Sequence, residues 1–409
     1  MSVSQSPTAC HPRSITSVVS RHGIIRSLIL PIVLVFCLAA CHDTGYRSAP
    51  KKNGKDPWRV AYYEGGEYFY YQRELEAVAI GLMETGWVEK TDIPELVDEA
   101  DTKVLWEWLS RELSGEYLEF VGDAYWSAEW HDDIRGKNRE EAIYRLTDIG
   151  DIDLVFAMGT WAGLDLAVDD HRVPTIVIST SDPIKSGIIR SAEDSGRDHV
   201  MALCDPQKYI RQLRMFHTLI GFDRLGVVYE DTPDGRVYAA LEDIGTVAGE
   251  RGFEVVGCIA PETNLSEEEA VREAVRCYEE LAPRIDAFFV TPHAGNSVKY
   301  MPEILFTFYE YDIPTWALDG SELVKRGVLM SISDVTTDHA RGLWYAEAIG
   351  RILNGSRPRD LDQVFESPKT IAINLEAASL IGYDPPAPIL LVADEIYETI
   401  SVEDHSGDR

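Results

Sequence analysis

From Trp58 onward the chain repeats one unit: a short apolar run, a polar loop, then a segment with helical spacing. Trp58–Tyr63 (WRVAYY) is the first strand expected. Tyr71–Thr85 then puts Leu75, Val78, Ala79 and Leu82 on one helical face, and Gly86 stands where a C-cap glycine would. Asp153–Met158 (DLVFAM) contains a continuous apolar run, the pattern of a strand buried on both faces. Thr175–Ser179, Leu225–Tyr229, Glu254–Ile259, Ala287–Thr291 and Thr315–Leu318 repeat it. Helix-like stretches lie at Lys208–Leu219, Gly235–Gly252, Ser266–Leu281 and Val298–Tyr311. This alternation confines the chain to an α/β fold of parallel sheets with helices on both faces. The pattern runs for about 330 residues, too many for one such sheet, so two lobes are expected.

The N-terminal residues follow a different rule. They carry Arg13, Arg21 and Arg26, no acidic residue, and then the apolar run Leu28–Ala40. That run is about 13 residues long, short of the roughly 20 that span hydrocarbon, and reads as a secretory signal. Its exit, Leu38-Ala39-Ala40-Cys41, resembles the lipobox of bacterial lipoproteins. The resemblance implies that residues 1–40 are removed and that Cys41 is lipidated and anchors the chain in a membrane. Residue 42 is His rather than Asp, so the familiar inner-membrane retention signal is absent, and the choice of membrane stays open. Residues 41–55 read as a polar tether, which would reach about 50 Å if extended.

Charge narrows the partners. Lys and Arg number 38 against 69 Asp and Glu, a net charge of −31, which becomes −34 without the signal segment. A phosphate-tracking surface needs cations, so nucleic acid is excluded as a partner. The six cysteines are too few and too scattered for a disulfide framework, and no C-x-x-C occurs. Cys204, Cys258 and Cys277 are expected as buried free thiols rather than a bridge.

Ligands of open α/β sheets sit off the carboxyl ends of the strands. The candidates there are Tyr62, Tyr63 and Glu64; Thr160 and Trp161, at a helix start with free N–H groups; Ser181 and Asp182; Tyr229 and Glu230; His293; and Asp319. Hydroxyls, carboxylates and aromatic rings spread over six loops suit one small polar or aromatic molecule. No nucleophile elbow, zinc-protease helix, Walker loop or dinucleotide fingerprint occurs, so neither catalysis nor a cofactor or metal is expected. His293 reads as a loop histidine in solvent or as a contact to ligand or metal. The aromatic stretch from Thr102 to Arg135 reads as a helix packed on the first lobe, or as a flap beside the ligand.

One stretch is more specific. Leu154–Ser191 joins a strand to Gly159-Thr160, Val173-Pro174, Ser181-Asp182-Pro183 and Ser186-Gly187-Ile188-Ile189. Arg224–Tyr229, Asp286-Ala287, Lys325–Val328, Ile373-Asn374-Leu375 and Ala393-Asp394-Glu395 extend the pattern. From about Trp58 to Ile396 the chain resembles the bacterial ABC transporter substrate-binding proteins of the ABC_sub_bind family, the tryptophan/tyrosine-type binding lipoproteins. The resemblance implies a two-lobed type I periplasmic-binding fold with three hinge crossings and a ligand cleft between the lobes. It implies an N-lobe of residues 56–198 and 327–357, a C-lobe of 199–326 and 358–398, and a tail of 399–409. It also implies capture of an amino-acid-like solute for an ABC permease, with Thr160 and Asp182 on the N-lobe side of the cleft. Where relatives carry Tyr-Asn-Pro, this chain has Tyr229–Gly235 (YEDTPDG), so its contacts on the other lobe differ. The alternative role on the same fold is a receptor that reports its ligand to a membrane signalling partner.

Overall fold

The computed structural model describes residues 49–94, 101–318, 320–333, 338–365 and 369–402. The expectations for the signal segment, Cys41, most of the tether, Asp319 and most of the C-terminal tail lie outside these residues.

The first sheet contains β1 (Trp58–Glu64), β2 (Leu118–Ser127), β3 (Leu154–Met158), β4 (Thr175–Ile178) and β5 (Val200–Ala202). They pair in the order β2-β1-β3-β4-β5, parallel throughout. Between them run α1 (Phe69–Thr85), α2 (Thr102–Trp108), α3 (Asp132–Tyr144) and α4 (Gly159–Leu166). β3 is buried at every position, as its unbroken apolar run requires. Gly86 closes α1 at φ 79°, its N–H turned to the carbonyls of Leu82 and Met83.

The second sheet contains β6 (Arg224–Tyr229), β7 (Glu254–Ile259), β8 (Ala287–Val290), β9 (Thr315–Ala317), β10 (Met330–Ser333), β11 (Thr370–Asn374) and β12 (Glu395–Tyr397). Its order is β12-β11-β10-β9-β8-β6-β7, parallel except for the β10–β11 pair. Its helices are α5 (Lys208–Ile220), α6 (Pro233–Tyr238), α7 (Leu241–Arg251), α8 (Glu267–Leu281), α9 (Met301–Ile304), α10 (Phe306–Glu310) and α11 (Ser321–Lys325). The helix α12 (Asp338–Leu353) returns to pack on α1 of the first half, and α13 (Leu375–Leu380) and α14 (Ala387–Val392) are the last helices among the described residues. Two crossing segments lie side by side: Cys204 bridges to Val364, and the Gln363 amide oxygen accepts the N–H of Ala202.

Several expectations change. The helix expected over Gly235–Gly252 is two helices, broken where Ala240 takes φ 51°. Val298–Tyr311 likewise splits into α9 and α10. The aromatic stretch is a short helix followed by edge strand β2, with Trp106 fully buried against Tyr62 and Phe120. β5, placed beyond a crossing at 198/199, pairs with β4, while β10, placed in the first lobe, pairs with β9 and β11. Cys258 and Cys277 form a disulfide instead of remaining free, because β7 and the buried face of α8 bring their Cα atoms to 5.6 Å. Cys204 is the buried free thiol, pushed up to about 12 by burial.

Candidate ligand-binding cleft

The loops leaving the carboxyl ends of both sheets meet around one cavity of about 380 Å³. From the first sheet, the turn after β1 brings Glu67, Tyr68 and Tyr71, the loop after β2 brings Trp130, Asp132 and Arg135, and the start of α4 brings Thr160 and Trp161. The segment after β4 adds Ser179, Thr180 and Ser181. From the second sheet, the loop after β6 brings Glu230, Asp234 and Tyr238, the loop after β7 brings Glu262 and Thr263, and the loop after β8 brings His293. Arg341 and Tyr345 of α12 form part of the wall.

Aromatic rings are built into this wall by small residues beneath them. Trp130 lies on Gly65 and Gly66, where an added Cβ would come within 2.9 Å and 2.6 Å of its ring, and its indole N–H donates to the Glu67 carbonyl at 3.0 Å. Trp130 meets Trp161 edge to face, with ring centroids 5.3 Å apart. The guanidinium of Arg135 covers Trp161 at 4.4 Å and binds Asp165 through Nε and Nη2, at 2.9 Å and 3.0 Å. Asp165 also accepts from the Tyr63 hydroxyl at 3.0 Å, so a buried network fixes Arg135 from behind.

The wall carboxylates differ in how they are satisfied. Glu74 pairs with Arg341 at 2.7 Å, both largely buried. Asp205 is bound by Arg211 and approached by Lys369 at 3.4 Å; burial opposes its charge, but these cations outweigh burial and lower its pKa. Glu230 accepts from the N–H groups of Glu262 and Thr263 at 3.1 Å and 3.0 Å and from the Thr263 hydroxyl at 2.7 Å. Those donors overcome its burial and hold it below the usual glutamate range. Asp234 and Glu262 are shifted the other way, raised chiefly by burial.

Of the sequence candidates, Thr160, Trp161, Ser181, Glu230 and His293 reach the cavity wall. His293 is not in solvent: its Nδ1 accepts the Gly295 N–H at 2.9 Å and its Nε2 lies 3.1 Å from the Ala260 carbonyl. Tyr62, Tyr63 and Glu64 do not reach the wall; they are fully buried because they belong to the central strand β1. Glu64 instead accepts from the hydroxyls of Tyr62, Thr102 and Tyr125. Asp182 accepts the N–H groups of Ile184 and Lys185, at 3.0 Å and 2.9 Å, beside a separate hollow near Asp243. Tyr229 turns its ring to Arg236 at 5.7 Å and packs in the second half's core. Sequence reasoning missed Tyr68, Tyr71, Arg135, Asp234, Tyr238, Glu262 and Arg341. Asp234 lies in the departure Tyr229–Gly235, and Trp130 and Arg135 close the aromatic stretch, so that departure and that stretch were the available signals. Among the described residues, no cluster of three or more His, Cys, Asp and Glu is placed to hold a metal ion.

Two parallel-dominated sheets whose strand ends share one polar and aromatic cavity define a type I periplasmic-binding architecture. The chain belongs to the ABC transporter substrate binding protein family, whose model matches residues 137–397. Its fold is similar to a conserved domain protein from Vibrio cholerae, with 16% identity, TM-score 0.63, and coverage of 83% of this chain and 100% of that one. It is similar to a Streptococcus pneumonia domain in complex with L-Trp, with 17% identity, TM-score 0.63 and coverage of 83% and 100%. A ligand-free, open substrate-binding protein with adhesive properties from Clostridium difficile matches at 17% identity and TM-score 0.55, covering 84% and 100%. No curated protein matches the chain in sequence.

Proposed function

We propose that the protein is the lipid-anchored, extracytoplasmic solute receptor of an ABC importer, held to a membrane through Cys41. It captures one small polar or aromatic molecule, amino-acid-like in size, between its two sheets and presents it to an inner-membrane permease. The observation that carries this reading is the cavity walled by the strand ends of both sheets, with Thr160, Trp161 and Ser181 on one side and Glu230 and His293 on the other. Closing the halves on a solute removes water from both walls together, so the closed shape depends on the solute and is what a permease would read. The Cys258–Cys277 bridge suits an oxidising compartment outside the cytoplasm. The L-Trp held by the Streptococcus pneumonia domain is a flat solute of the size this cavity would take.

Calorimetric titration of the purified protein with amino acids, aromatic acids and amines tests the reading. A compound bound one to one and lost on Trp161→Ala supports it. A panel that leaves both heat and melting temperature unchanged refutes it. Metabolic labelling with a lipid analogue, present in the wild type and absent in Cys41→Ser, checks the anchor.

A further inference from the structure

Among the cavity-lining carboxylates with no Lys or Arg within 4.0 Å, Asp234 and Glu262 are also the ones least supplied with hydrogen-bond donors, and they carry an inference about the solute's charge, resting on the reading that this cavity is the solute site. Asp234 has neither a hydrogen-bond donor nor an ion-pair partner within 4.0 Å among the described residues. Arg135, the cation that attracts it most, is already bound to Asp165 and laid on Trp161. Glu262 accepts one hydrogen bond, from the Ala294 N–H at 2.5 Å, and its side chain is 13% exposed. The His293 ring gives it no hydrogen bond. The Nδ1 that lies 4.0 Å from Glu262 is occupied as acceptor of the Gly295 N–H, so the ring proton sits on Nε2, facing Ala260. Tyr238 is within electrostatic reach of both carboxylates, and its hydroxyl has no hydrogen-bond partner among the described residues. Across the cavity, the Thr180 Oγ1 is buried with no partner of its own.

A buried carboxylate without a counter-charge is unfavourable, and a bound ammonium relieves it. The rings of Trp130, Trp161 and Tyr238 beside these groups add an apolar body and π-faces, which attract cations as well. We propose that the cavity selects organic cations, amines carried on a flat aromatic body, with the charged nitrogen received between Asp234 and Glu262. The site discriminates against the matching amino acid, because the cations near it are committed: Arg135 to Asp165 and Arg341 to Glu74. Lys208, whose ammonium rests over the Tyr209 ring at 5.3 Å, is the wall cation to which a solute carboxylate would otherwise turn.

Four indoles that share a ring and differ in charge test this: tryptamine, L-tryptophan, indole-3-acetate and indole, titrated calorimetrically into the purified protein. Tryptamine is expected to bind at least tenfold more tightly than the other three. Asp234→Asn and Glu262→Gln are each expected to weaken tryptamine at least tenfold more than they weaken indole. Equal or tighter binding of L-tryptophan or indole-3-acetate, lost in Lys208→Ala, overturns the charge assignment and leaves the solute site standing. Tryptamine binding that survives both carboxylate substitutions overturns it as well. If none of the four indoles binds while another solute does, the aromatic-cation class is wrong; if no solute binds at all, the reading of the cavity falls with it.

Discussion

Glu64 and His199 pull stability in opposite directions as pH changes. Burial raises Glu64 to about 7, against the hydrogen bonds of Tyr62, Thr102 and Tyr125, which favour the charged form. The native protein therefore holds this proton more tightly than the unfolded chain. The stability it contributes is present in acid and lost as pH rises from the ordinary glutamate range through about 7. His199 is the mirror case: burial and the neighbouring His171 lower it to about 4. Its contribution is present above the ordinary histidine pKa and lost as pH falls toward about 4. A shift of this size corresponds to about 3 kcal/mol for each group, and the two slopes oppose each other over the overlapping range. Glu64→Gln is expected to give a melting temperature that rises from pH 4.5 to 6.5 and exceeds the wild type at pH 8. His199→Asn is expected to give one that falls from pH 4.5 to 7. Parallel melting profiles for all three proteins would remove Glu64 and His199 as the titrating groups.

The contact between α1 and α12 ties the returning chain to the first half, and it depends on two glycines. A Cβ on Gly81 would sit 2.2 Å from the Gly342 carbonyl oxygen, and one on Gly342 would sit 2.0 Å from that of Ala77. The obstacle is backbone, so the helices must separate rather than repack a side chain, which costs about 1–3 kcal/mol or more. Gly342→Ala is expected to lower the denaturant midpoint accordingly, whereas an unchanged midpoint would mean that the helices tolerate a wider spacing. The Cys258–Cys277 bridge closes a 19-residue separation, worth about 3 kcal/mol in a chain-entropy account. Reduction, or the Cys258→Ser/Cys277→Ser pair, is expected to lower the melting temperature without altering solute affinity. Legibility in the sequence divides along the same physical line. β1, β3, β4, β6, β8 and β9 were readable because strands buried on both faces need unbroken apolar runs, as in LVFAM, and the edge strand β7 because its short apolar run persists despite alternating exposure. β2 was hidden by exposed positions such as Glu119, Gly122 and Asp123 on a sheet edge, and β12 is a three-residue strand on the opposite sheet's edge without a buried run. The site was legible as a set of strand-end loops. Which side chains enter the cavity was not: β1 runs through Glu64 and buries Tyr62 and Tyr63, and the disulfide depends on a strand–helix packing that spacing does not reveal.

At the scale of the whole molecule, the two halves are fastened on either side of the cavity by contacts at its rim, several of them made by wall residues. On one side Asn264, in the second half, accepts the Asp132 N–H at 3.0 Å and donates to the Asp132 carboxylate at 3.2 Å; its own N–H reaches the Trp130 carbonyl at 3.0 Å. The loops that meet there are held in left-handed conformations, φ 50° and 59° at Glu129 and Trp130 and φ 62° at Asn264. Asparagine tolerates that conformation better than most residues, which gives Asn264 a role in shape as well as in bonding. On the other side Lys185 bridges to Asp243 at 2.6 Å, and the Tyr209 hydroxyl donates to the Ser181 carbonyl at 2.7 Å. On the proposed closure of the halves, these bonds would add to affinity through the closed population, over and above any contact with the solute. Asn264→Ala removes both side-chain bonds and disfavours the turn, a loss of about 1–2 kcal/mol from two hydrogen bonds. The expected outcome is solute affinity reduced about tenfold, since 1.4 kcal/mol is a factor of ten, with a larger radius of gyration at partial saturation in solution scattering. Asn264→Gly, which keeps the left-handed turn but loses the side chain, should recover little of the affinity if bonding dominates and most of it if backbone shape does. Wild-type affinity in both variants would mean that the loops meet without holding the cleft shut.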